Sequence, residues 1–106
     1  QTMLFGWTGD NGDPDNFLGY FYANQPVARE GYYFNPEVRE LLLQGRALTD
    51  QAEREQIYWQ VEQIMHDEVA RLYIAHNPVP LAFSSRVSGY VPNPLATEHF
   101  KLVSVQ

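Results

Sequence analysis

Three carboxylates within six residues, Asp10, Asp13 and Asp15, make the densest polar cluster of the sequence, and such a cluster can serve three kinds of chemistry. Calcium binding is the first, because hard cations take carboxylate oxygens. The EF-hand pattern is not met. Counted from Asp13, the position that demands glycine holds Leu18, and the closing position, where a bidentate Glu belongs, holds Asn24. An acid pair for glycoside hydrolysis is the second, and sequence sets no separation between two carboxyl groups. The third is recognition of a cation. Asp10 follows an apolar run containing Trp7 and is bracketed by Gly9 and Gly12, so another backbone can approach without meeting a Cβ. A solitary carboxylate beside an indole suits a ligand ammonium group. Asp13 and Asp15 have an ordinary role open to them, capping a turn and the helix that follows.

The other reactive side chains are scattered. His66, His76 and His99 show no metal-ligand spacing, and Glu62 with His66 reads as a surface pair on a helix. Ser84, Ser85 and Ser88 lack the G-x-S-x-G setting of a nucleophile elbow. With no cysteine, disulfide scaffolds, zinc ribbons and thiol catalysis are excluded, and no cofactor is called for. The aromatic-rich stretch Tyr20, Tyr22, Tyr32, Tyr33 and Phe34 has only Arg29 near it, which favours packing under loops over stacking on nucleic acid. Net charge points the same way. At -6 the chain of 106 residues is too acidic to track phosphates, so nucleic acid is not an expected partner. Its 44% hydrophobic content excludes disorder of the whole and fits one soluble domain. No apolar run approaches the length of a membrane-spanning helix. The opening Gln1-Thr2-Met3, with neither initiator Met nor leader, suggests a piece of something longer.

These residues need elements to hold them. Met3 to Trp7 is expected as a strand, ending in the turn formers Thr8 to Asn16. Asp15 or Asn16 then caps a short helix carrying Phe17, Leu18, Phe21 and Tyr22. After an irregular stretch, Asn24 to Phe34, the pair Asn35-Pro36 starts a helix running to Gln44, with Val38, Leu41 and Leu42 inward and Gly45 as terminator. A longer helix begins at Thr49 or Asp50, capped back by Glu53. Its inner face holds Ile57, Val61, Ile64, Met65 and Val69, while Glu53, Arg54, Glu55, Gln60 and Glu62 point elsewhere. Leu72 to His76, Val79 to Phe83 and Phe100 to Val105 read as strands, the middle one bent or at an edge because of Pro78 and Pro80, with a turn-rich connector at Val91 to Pro94. The sum is an α/β or α+β domain.

The run Gly6-Trp7-Thr8-Gly9-Asp10-Asn11-Gly12-Asp13-Pro14-Asp15-Asn16-Phe17-Leu18 resembles a segment of the peptide-binding (dipeptide and oligopeptide) extracellular solute-binding proteins of bacterial ABC transporters. Tyr33-Phe34-Asn35-Pro36-Glu37-Val38, Leu48-Thr49-Asp50-Gln51-Ala52-Glu53-Arg54 and Arg86-Val87-Ser88-Gly89-Tyr90-Val91-Pro92-Asn93-Pro94 continue the likeness in order over nearly the whole chain. Two places depart from it. The segment between Tyr22 and Tyr32 has no match, and Arg71 stands where many relatives carry proline, a position where it would face the negative end of a helix dipole.

The resemblance implies a fold: residues 1–106 as a single partial domain, a C-terminal fragment of one lobe of a type II two-lobed periplasmic-binding protein, with strands at both ends and two consecutive helices between. It also implies a function, binding without catalysis. Asp10 would receive the free α-ammonium of a di- or oligopeptide, Gly6 and Thr8 would offer backbone groups, Trp7 would wall a side-chain pocket, and Gly9 would let the ligand approach. Implied partners are the peptide, the membrane permease and the remainder of the receptor, in the periplasm or on an extracellular lipoprotein. A receptor for a non-peptide solute and a hydrolase using Asp10 with Asp13 are the alternatives.

Overall fold

A computed structural model describes residues 4–24, 33–95 and 97–106. The readings placed on Gln1-Thr2-Met3 and on residues 25–32 of the irregular stretch, Arg29 and Tyr32 among them, lie outside them. The chain forms two compact units, Gln1–Leu72 and Tyr73–Gln106.

In the first unit a single turn of 3-10 helix, Pro14–Asn16, leads into the short helix α1, Gly19–Tyr22, followed by α2, Pro36–Ala47, and α3, Gln51–Asp67. Pro36 sits in the first turn of α2, and the Asn35 side chain accepts from the amides of Glu37 at 2.8 Å and Val38 at 3.2 Å, so the expected start is the observed one. The end is not. Gly45 lies inside α2 and is buried, because α3 crosses there: a Cβ at this position would lie 3.4 Å from Ile57 and 3.5 Å from Tyr58. It is a helix-contact glycine, and the turn is made by Leu48 in an extended conformation.

Asp50 caps α3 through the Glu53 amide at 2.9 Å, as expected. Val38, Leu42 and Gly45 on α2 are buried with Tyr58, Val61 and Met65 on α3, and Leu18, Phe21, Tyr22 and Ala23 complete the core. Two expectations for α3 fail. Val69 is 75% exposed and outside the helix, at a positive φ of 51°, and Arg54 lies on the buried stripe, one turn before Tyr58. The physical reason for the first is the helix end. The Ala70 amide bonds the Met65 carbonyl at 2.9 Å and the Val69 amide that of His66 at 3.1 Å, a Schellman turn whose left-handed residue is Val69 where glycine is usual.

Arg71 also lies elsewhere than the sequence suggested. Beyond the helix end, its guanidinium covers the rings of Phe5, Phe21 and Tyr22 at 5.6, 5.0 and 5.4 Å. The expected strands at residues 4–7, 72–76 and 79–83 are irregular segments, since a strand exists only through its ladder and none of the described residues pairs with them.

The second unit holds one antiparallel pair, β1, Val87–Ser88, and β2, Ser104–Val105, with Val87 opposite Val105 and Ser88 opposite Ser104. Of the strand expected over Phe100 to Val105 only the last part forms; Phe100 and Val103 close a turn instead, with the Val103 amide on the Phe100 carbonyl at 3.0 Å. The two serine hydroxyls meet at 2.8 Å, and the Gln106 amide reaches the Arg86 carbonyl at 3.0 Å. Gly89 has a φ of 78°, and a Cβ there would stand 2.1 Å from the Leu102 carbonyl oxygen. Helices and a short ladder together give a mixed α and β fragment.

Candidate functional site

The loop after Trp7 is built from three carboxylates with three different partners. Asp13 caps the 3-10 turn, its Oδ1 accepting the Asp15 amide at 2.9 Å. Both Asp13 oxygens also accept from Arg54 Nη2, at 2.8 and 2.9 Å. Arg54 is fixed in turn, donating from Nε to the Gly45 carbonyl at 3.1 Å and from Nη2 to the Tyr58 hydroxyl at 3.1 Å. Its hydrogen bonds, together with the Asp15 amide, hold the Asp13 carboxyl below the usual carboxylate range, and Asp13 and Tyr58 push the guanidinium's own titration up. Asp15 pairs with Arg46 at 2.6 Å. The Asp13 and Asp15 side chains therefore pin the loop to the helices, and the Asp10 with Asp13 pair of the hydrolase reading has one member occupied by a guanidinium.

Asp10 is exposed and organised by a residue that sequence reasoning assigned only to helix capping. The Asn16 Oδ1 accepts the Asp10 amide at 2.9 Å and the Trp7 indole Nε1 at 3.3 Å, and the Asn16 Nδ2 donates to the Asp10 Oδ2 at 3.4 Å. The Trp7 ring stacks on Tyr20 at 4.9 Å, 16° from parallel, and meets Phe21 edge-on at 5.0 Å. Gly9 is half-buried under the Phe17 ring, where a Cβ would come within 2.3 Å. Gly6 and Thr8 are exposed, and nothing lies within 4 Å of where a Gly6 Cβ would be. Among the described residues no main-chain hydrogen bond engages Phe5 to Gly9. Trp7, Gly9 and Asp10 are thus brought together, Gly6 and Thr8 flank them on one open stretch of backbone, and Asn16 and Tyr20 join the site. Asn16 lies nine residues from Trp7 and six from Asp10 across a turn that folds back, a bridge that no periodicity of the sequence marks.

Among the described residues no three His, Asp or Glu side chains converge as a metal site, and no helix is long and apolar enough to cross a membrane.

No protein-family model matches the chain. It is 37% identical over its whole length to the dipeptide-binding protein of Escherichia coli, and 36% identical over 96% of its length to heme-binding protein A of Haemophilus influenzae. Its fold matches the structure of HbpA2 from Haemophilus parasuis, with a TM-score of 0.72 and 34% identity over 96% of this chain and 20% of that one. The chain spans about 20% of the length of the curated relatives it matches. A short mixed fragment of this kind fits part of one lobe of their fold. By sequence and by structure, the chain is similar to a stretch of about one fifth of a solute-binding protein, among relatives named for binding dipeptides, tripeptides or heme.

Proposed function

We propose that residues 1–106, as a single partial domain, supply one wall of the cleft in a periplasmic or lipid-anchored receptor that captures di- or oligopeptides and passes them to an ABC permease, without a catalytic step. The observation that carries this reading is the exposed Asp10 carboxylate, braced by Asn16 beside the Trp7 and Tyr20 rings. Closure of a cleft strips water from a peptide ammonium, a loss that only a paired and hydrogen-bonded carboxylate offsets. Next to it the main chain of Gly6 and Thr8, which bonds to none of the described main-chain groups, can pair with an extended ligand, which gives affinity regardless of side-chain sequence. Trp7 then meets the first side chains of the peptide, and the name of the Escherichia coli relative supports the same ligand class.

The heme-binding relative favours a second reading, a receptor for a non-peptide solute in the same architecture. Calorimetry on the intact receptor with a dipeptide, its N-acetyl derivative and hemin separates the two. Under the peptide reading the free amine is required, and Asp10→Asn weakens dipeptide binding by about 2 to 5 kcal/mol, the range for truncating one partner of a buried charge pair. Unchanged dipeptide affinity in that variant would sink it.

A further inference from the structure

We infer that Asn16 is the positioning residue of this site, a brace that holds the Asp10 carboxylate and the Trp7 indole in one fixed relation so that the amino group of a ligand meets a preset acceptor. The inference rests on the peptide-capture reading above. One planar carboxamide makes all three bonds: its oxygen takes the Trp7 indole N–H and the Asp10 amide, and its nitrogen gives to the Asp10 carboxylate. Because oxygen and nitrogen share a plane, turning either partner breaks a bond to the other. Asn16 is itself half-buried and anchored, its amide on the Asp13 carbonyl at 3.0 Å at the end of the 3-10 turn, and Asp13 is tied to Arg54 on α3. The frame of the packed helices is thereby carried to an exposed carboxylate.

Only an amide of this length combines the required acceptor and donor. Asn16→Ala removes the brace but leaves Asp10 in place. Asn16→Asp is nearly isosteric and substitutes an oxygen for the donor, setting two carboxylates against each other, one of which then keeps its proton to higher pH. The remaining ionisable groups of the turn are already matched, Asp13 with Arg54 and Asp15 with Arg46, so a new pH response reports on Asp10 and the introduced acid.

The test is calorimetry on the intact receptor with alanyl-phenylalanine and its N-acetyl derivative, using wild type, Asn16→Ala, Asn16→Asp and Asp10→Asn. Expected for Asn16→Ala is a loss of about tenfold in affinity for the free amine, as for removing a hydrogen bond to a charged group, with the weak binding of the acetylated form unchanged. For Asn16→Asp, affinity for the free amine rises between about pH 4.5 and 7 more steeply than in wild type, a window below the titration of the ligand's own amine. A purely structural Asn16 would move both ligands together and leave the pH slope as in wild type; either result overturns the inference. If Asp10→Asn abolishes discrimination while both Asn16 variants keep it, the brace is refuted and peptide capture stands. If wild type does not distinguish the two ligands, both fall.

Discussion

Among the described residues, the stretch up to Leu72 encloses part of its apolar side chains in a core, whereas the stretch from Tyr73 onward leaves its own largely exposed. Every buried apolar side chain among the described residues belongs to the first unit, with Val38, Leu42 and Val61 fully enclosed, while Ile74, Val79, Phe100 and Leu102 of the second are exposed. The sequence is no poorer in apolar residues there. What differs is how each backbone is satisfied. A helix closes its hydrogen bonds within itself and needs only one companion face, so α2 and α3 suffice for each other. An extended segment needs a neighbour for every second bond, and two residues of ladder make at best a marginal hairpin. The contrast teaches that this stretch of chain is self-sufficient where it is helical and dependent where it is extended.

Five substitutions probe that contrast, from the largest effect downward. Leu42→Ala opens a cavity in the helical core and should cost about 2 to 5 kcal/mol by chemical denaturation, whereas Leu102→Ala in the second unit should stay within about 0.5 kcal/mol. Equal losses would break the distinction. Arg54→Met leaves the Asp13 carboxylate without its guanidinium; for a pair exposed by a quarter to a third, a loss of about 1 kcal/mol is expected. The sign with pH follows from the lowered titration of Asp13: folding favours the ionised acid, so its contribution is full above the ordinary value of 3.8 and fades as pH falls below it. In Arg54→Met the acid limb of stability should be correspondingly shallower, as melting temperature against pH would reveal.

Val69→Gly relieves a β-branched residue held in the left-handed region and should add about 1 kcal/mol to stability. A destabilised variant would show that the exposed valine side chain contributes more than its backbone strain costs. Smallest in the global measure is Gly89→Ala. It should open the β1 and β2 pair, seen as faster hydrogen exchange at the Gln106 amide, yet shift overall stability by less than about 0.5 kcal/mol.

Much of this was legible in the sequence, and the failures share a cause. Asn35-Pro36 and Asp50 fixed two helix starts because caps are local: donor, acceptor and backbone lie within four residues. The inward positions Val38, Leu42, Val61 and Met65 follow from helical spacing alone. Gly45 was misread as a terminator because its role depends on Tyr58 across a helix crossing, and Arg54 was misplaced because its partner is forty-one residues away. The strands at either end were over-read because apolar runs report burial and say nothing of a ladder partner. At the site, Trp7, Gly9 and Asp10 were visible as a motif, while Asn16 was hidden because a side-chain bridge across a turn leaves no period in the sequence.

The pair α2 and α3 is latched at both extremities. Near the connecting turn Arg54 grips the Gly45 carbonyl; at the far side Glu68 receives the Tyr33 hydroxyl at 2.6 Å and the Asn35 amide nitrogen at 2.9 Å, bonds that keep the Glu68 carboxyl low while burial and Glu68 raise the Tyr33 phenol. The latches stand fourteen positions apart on the chain, roughly 21 Å along a helical axis. Sliding of one rod past the other would have to undo both at once. The two helices are thereby cross-linked at each end as well as along the core they share.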